Sequence, residues 1–201
     1  YEDFDFLLFT KLMDAREKMI ALLQKRDIDI MVRIGLCLEL AQKMQEALDA
    51  DELFKVDEML EQFGNMDEIV AFQRKGDEYK IGEIEYCQTA RKMFRVFGQL
   101  EVLKDDWTEY VKKAEKQLFG EGQSGFERNR STFHKMYGLQ SVHNEEWSIW
   151  LEQLMVYFVF TYFCGSVYDD NIIGKMKTAV VVTLLIQELA VAKWSENDEK
   201  M

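Results

Sequence analysis

The chain of 201 residues contains no proline, where average usage near 5% would supply roughly ten. Uninterrupted helices tolerate that absence best, because proline removes a backbone donor and breaks helix interiors. No Asn-Gly or Asp-Gly pair occurs either, so the commonest signal for a tight β-hairpin is missing. Basic residues are scarce, 25 Lys and Arg against 37 Asp and Glu, for a net charge of -12. Neutralising a nucleic-acid backbone needs clustered Lys and Arg, so nucleic acid is excluded as a partner. The longest strongly apolar stretch near the end, Leu154 to Tyr168, holds only fifteen uncharged residues, short of the twenty or so that span a membrane. Cysteines number three, Cys37, Cys87 and Cys164, far apart and without the close spacing of a metal or redox motif. They are expected to be buried reduced thiols in a cytoplasmic protein. The only histidines, His134 and His143, fit no H-E-x-x-H or E-x-x-H frame, so no metal site is expected.

What is present is hydrophobic content of 48%, arranged mostly at three- and four-residue steps. Helices are expected over Phe4–Lys25, Ile28–Ala47, Asp51–Phe63, Asp67–Arg74 and Ile84–Leu103, then from Asp105 or Asp106, across the stretch FERNRSTFHKMYGL, and over Glu145–Phe163 and Ile172–Trp194. In the first, Phe9, Leu12, Met13, Arg16, Met19, Ile20 and Leu23 form the expected inward stripe, interrupted by Arg16. Gly64 is placed to end the third helix, Asp27 or Asp29 to cap the second, and Asp170 or Asn171 to cap the last. The fold class is therefore all-α, a compact domain of roughly seven to nine helices over residues 1–201 with helical hairpins at both ends. The glycine-rich GEGQSG at 120–125 is a candidate hinge. It matches G-x-G-x-x-G literally, but a charged helix rather than a buried strand precedes it, so a dinucleotide site is not expected.

No complete catalytic set is visible: there is no nucleophile elbow or P-loop, and no catalytic residue is assigned. Arg26 and Arg33, around the turn of the first helical hairpin, are expected to pair locally with Asp27, Asp29 or Glu39; the sharper reading is bidentate capture of a carboxylate or a neighbouring domain. Trp147 and Trp150 could stack a ligand, though helical spacing places them in the core first. The acidic stretch Asp51–Val70, seven acids against one Lys, reads as a solvated face, with docking of a Lys-rich partner as the sharper alternative.

The first hairpin, LLFTKLMDAREKMIALLQKRDIDIMVRIGLCLELAQKMQEAL, resembles the helical part of the flagellin lysine-N-methylase family. The family's pattern, L-L-Q-x-R followed by R-x-x-L-x-L and then a Gln, falls on Gln24, Arg26, Arg33 and Gln42. The ending WLEQLMVYFVFTYFCGSVYDDNIIGKMKTAVVVTLLIQELA is similar too, with Glu152, Tyr162, Phe163 and Asp169 at corresponding places. The resemblance implies methyl transfer from S-adenosylmethionine to lysine side chains of a protein substrate, flagellin being the named case. It also implies an iron–sulfur cluster on a cysteine-rich stretch that these residues do not include. The chain is accordingly expected to be the C-terminal part of a longer protein and inactive alone. Substrate or partner-binding candidates are Arg26, Arg33, Trp147, Glu152, Tyr162, Asp169 and Asp170, the last two as acids that could orient a substrate lysine. A non-catalytic helical interaction module and a helical ligand-binding regulator are the alternative readings.

Overall fold

The computed structural model describes residues 4–78, 83–99, 106–137 and 144–198. Among them are nine α-helices, two 3-10 helices and no strand: α1 Phe6–Leu23, α2 Ile30–Asp49, α3 Val56–Gln62, α4 Met66–Glu78, α5 Glu83–Phe97, α6 Trp107–Phe119, α7 Gly122–Tyr137, α8 Asn144–Tyr162 and α9 Ile172–Asp198, with 3-10 turns at Leu53–Lys55 and Phe163–Tyr168. The chain divides into two compact units, one of Tyr1–Tyr79 and Trp150–Val180, the other of Lys80–Ile149 and Val181–Met201. None of the unit boundaries falls in 120–125. There α6 ends at Phe119 and α7 starts at Gly122, so most of the glycine-rich stretch is helical.

In the first unit, local chemistry sets the helix ends. The Asp5 carboxylate accepts from the Leu8 amide at 2.8 Å and starts α1; Asp29 does the same for α2 through the amides of Met31 and Val32. Each such cap contributes about 1 kcal/mol. The buried face of α1 is Leu8, Leu12, Ala15, Met19, Leu22 and Leu23. It is rotated from the expected stripe, which leaves Phe9, Met13, Arg16 and Ile20 half-buried at its margin. Arg16 is tolerated there because its guanidinium lies over the Phe160 ring at 5.0 Å. The third helix starts late, as a 3-10 turn at Leu53, because Asp51 sits at φ +58, a conformation no right-handed helix accepts. It ends at Gly64, whose φ of +72 suits glycine and whose hydrogen faces Leu22, where a Cβ would stand 3.3 Å from Cδ1. Gly35 lets α4 approach α2, since a Cβ on it would lie 2.3 Å from the Phe72 ring.

The second unit is an aromatic-rich core. Phe94, Phe119 and Phe126 are buried, with Phe94 edge-on to Phe119 and Phe119 stacked on Phe126 at 5.2 Å. Phe133 of α7 meets Trp147 and Trp194 at 5.1 and 5.8 Å. Burying each such ring contributes about 1.5–3 kcal/mol. Asp106 stands where a cap was expected for α6, but its side chain makes no capping bond; Asp105 and His143 lie outside the described residues. Among the described residues no helix is long and apolar enough to cross a membrane.

Candidate functional site

Two clusters of charge are buried, one in each unit, and each is centred on a glutamate with no exposed surface. In the first, α1 ends at Leu23 and the chain turns through Arg26 into α2, which carries Arg33 on its inner face. Both arginines reach Glu152 of α8. Arg26 grips it bidentately, Nε to Oε2 at 3.1 Å and Nη2 to Oε1 at 2.9 Å, while Arg33 Nη1 donates to Oε2 at 3.1 Å. The same Arg33 nitrogen donates to the Leu23 carbonyl, one of the acceptors that a helix C-terminus leaves unpaired. Gln153 adds a bond to Glu152 Oε1 at 3.3 Å. Burial works to raise the Glu152 pKa, but the hydrogen bonds and charges of Arg26 and Arg33 outweigh it and hold the carboxyl below its ordinary range.

For Arg33 the expected pairing with Asp29 or Glu39 is thereby corrected. Asp29 is engaged as the α2 cap, Glu39 pairs with Lys43 and Lys75, and the arginines take a partner more than a hundred residues on. Nor is Arg33 a surface residue, being 1% exposed. Arg26, Arg33 and Glu152 thus come together, whereas the other candidates have separate settings. Tyr162 is exposed at the end of α8 beside Tyr157 and Phe158. Trp147 packs edge-on against Phe133 in the second unit. Trp150, expected inside, is 66% exposed because it falls on the outer face of α8 with Tyr157 and Phe160. Cys37 and Cys87 are buried and Cys164 is half-buried, all as free thiols.

Asp169 and Asp170 lie just before α9. The cap itself is Asn171, whose Oδ1 accepts from the Gly174 amide at 2.9 Å. Asp169 pairs with Lys175 and accepts from the Asn171 amide at 3.3 Å. Asp170 occupies the left-handed region at φ +52, and its carbonyl accepts from Gln45 Nε2 at 2.9 Å. Gln45 also accepts from the Ile173 amide, so one α2 side chain holds both sides of this turn, a contact the sequence reading missed. Replacing Asn171 with Ala is expected to cost about 1 kcal/mol and with Asp only a few tenths. Urea unfolding checks this, and an Asp variant as unstable as Ala would count against the capping role.

The second cluster was also missed. Glu188 Oε1 accepts from the Tyr86 hydroxyl at 2.8 Å and from Arg130 Nε at 3.3 Å, and the Arg130 guanidinium lies 3.9 Å over the Tyr86 ring. Glu188 Oε2 and Trp147 Nε1 are buried without a hydrogen-bond partner among the described residues. Burial raises the Glu188 pKa against the opposing pull of Arg130 and Tyr86; burial likewise raises that of Tyr86. Beside them the Gln187 amide nitrogen lies 3.3 Å from His134 Nε2. In that orientation the amide donates to Nε2 when the ring proton is on Nδ1. Burial first, and Arg130 second, bring the His134 pKa down to about 4.

The molecule is thus of the all-α class, with buried arginine–carboxylate clusters and no recognised catalytic constellation among its described residues. The family model for the FliB lysine N-methylase C-terminal domain matches residues 16–201, and the chain belongs to that family. No curated protein and no solved structure matches it. Among the described residues no group of three or more His, Cys, Asp or Glu side chains is placed to hold a metal ion. The residues described here therefore do not fit an iron–sulfur cluster.

Proposed function

We propose that this chain works within a lysine N-methylase that moves methyl groups from S-adenosylmethionine to lysine side chains of a protein substrate, with flagellin as the first substrate to test. The observation that supports this reading is the family match across 16–201. A lysine ammonium must lose a proton before its amine attacks an electrophilic methyl carbon, so the reaction needs a water-poor site that favours the neutral amine. The described residues contribute a stiff frame: the Arg26–Glu152–Arg33 cluster fixes the α1–α2 turn against α8. The pocket with aromatic walls between α5 and α6 is lined by three cations, so a sulfonium would be repelled there. No residue of the chain is assigned to the cofactor.

The test is full-length protein incubated with methyl-labelled S-adenosylmethionine and purified flagellin, followed by peptide mapping. Label on flagellin lysines is the expected result. Flagellin left unlabelled by folded protein, under conditions where a control methylase labels its own substrate, would overturn the flagellin reading.

A further inference from the structure

The second half of α5 and the length of α6 line a half-open cavity of about 430 Å³, within the size range of small-molecule sites. Its floor is Phe94 and Phe119, both buried. Phe97 and Trp107, half-buried and edge-on at 5.7 Å, form a wall. Among the described residues the rim carries Arg91, Arg95 and Lys112 against a single acid, Glu115. In a chain of net charge -12, this is a local inversion of sign. Arg91 is partly engaged, its guanidinium over Phe119 at 4.4 Å and its Nη2 near the Phe119 carbonyl. Arg95 and Lys112 make no ion pair among the described residues, unlike Lys11, Lys43 or Lys113 on other surfaces.

From this combination we infer that the α5–α6 cavity is a binding site for a planar aromatic anion. The rings of Phe97 and Trp107 would take the flat body, where stacking and apolar contact are favourable. Arg95 and Lys112 would take the negative group, with Arg91 adding charge from the floor side. Low-dielectric walls concentrate the field of the three cations, so an anion gains more here than on an open surface. An uncharged ring uses only the wall, and a cation is disfavoured. The cations oppose the sulfonium of the methyl donor, and the inference does not rest on the proposed methyl transfer.

Two probes sharing one ring system separate these contributions in the full-length protein. One is 8-anilinonaphthalene-1-sulfonate, whose fluorescence rises in apolar surroundings; the other is its uncharged counterpart, N-phenyl-1-naphthylamine. The sulfonate is expected to bind saturably, one per chain. The variant Arg95→Glu/Lys112→Glu is expected to weaken it by about tenfold or more while shifting the neutral probe by less than about twofold. Trp107→Leu is expected to weaken both probes, and circular dichroism and melting confirm that each variant folds. Sulfonate binding that survives the charge reversal, or equal weakening of both probes by it, would overturn the assignment.

Discussion

Replacing Glu152 with Ala is expected to destabilise the first unit by roughly 3–5 kcal/mol, the cost of leaving a buried charge without its partner. The carboxylate has no exposed surface and Arg33 is 1% exposed, so water cannot take over the solvation that Glu152 supplies. Arg26 differs, with 57% of its side chain exposed; its share of the loss is small because it can turn to solvent. Glu152→Gln keeps the shape and one acceptor but points amide hydrogens at a guanidinium, so most of the loss is expected to remain. The double variant Arg33→Met/Glu152→Met should recover much of it, because removing both charges also removes the desolvation cost. Urea unfolding of the single and double variants decides. A loss below about 1 kcal/mol for Glu152→Ala would mean that Arg33 reaches water after all.

The sign of the pH dependence follows from the lowered pKa of Glu152. A carboxylate held below its ordinary 4.5 contributes stability that is fully present above that value and is lost as pH falls through the lower folded value. The wild type should therefore lose stability on acidification below about pH 4.5 more steeply than Glu152→Gln.

The helices were legible in the sequence because their signals are local. Asp29 and Asn171 cap within three residues of themselves, and Gly64 ends its helix by its own backbone angle. The partners of buried charge were not legible, because they depend on which helices meet. Arg26 and Arg33 were read with their neighbours, yet the acid that fits between them is Glu152. The family-like pattern had marked both arginines and that glutamate without pairing them. Gln45 escaped notice for the same reason, being 125 residues from the carbonyl it holds. Glu188 did leave a trace: it is the one charge in the apolar run Thr178–Ala192, and an acid in such a run needs a buried partner. Trp150 misled because α8 is apolar on its outer face as well, with Tyr157 and Phe160 exposed beside it, and spacing alone does not say which of two apolar faces is covered.

In the second unit, Arg130→Met is expected to cost about 3 kcal/mol at pH 8 but only about 1 kcal/mol at pH 5, so that the penalty grows with pH. Arg130 is the cation that opposes burial at Glu188; without it the folded pKa rises further above 4.5. A folded acid with a raised pKa keeps its proton when the unfolded chain has released it, so its stability contribution falls as pH climbs through that window. His134 adds a change of the same sense. Arg130 helps to hold it down to about 4, so in the wild type the unfolded chain alone takes up this proton between about pH 6.5 and 4, which weakens the fold in acid. Removing Arg130 lifts the folded pKa toward 6.5 and shrinks that acid loss, which again makes the variant's penalty smaller at pH 5. What remains at pH 5 is the lost stacking of the guanidinium on Tyr86, a contact worth about 1 kcal/mol. Placing Gln at Glu188 in the same background should remove the carboxyl's part of the slope and leave only that of His134. Denaturant unfolding at pH 5 and pH 8 measures each quantity, and a penalty for Arg130→Met that is constant or smaller at pH 8 would show that Glu188 does not depend on Arg130 for its charge.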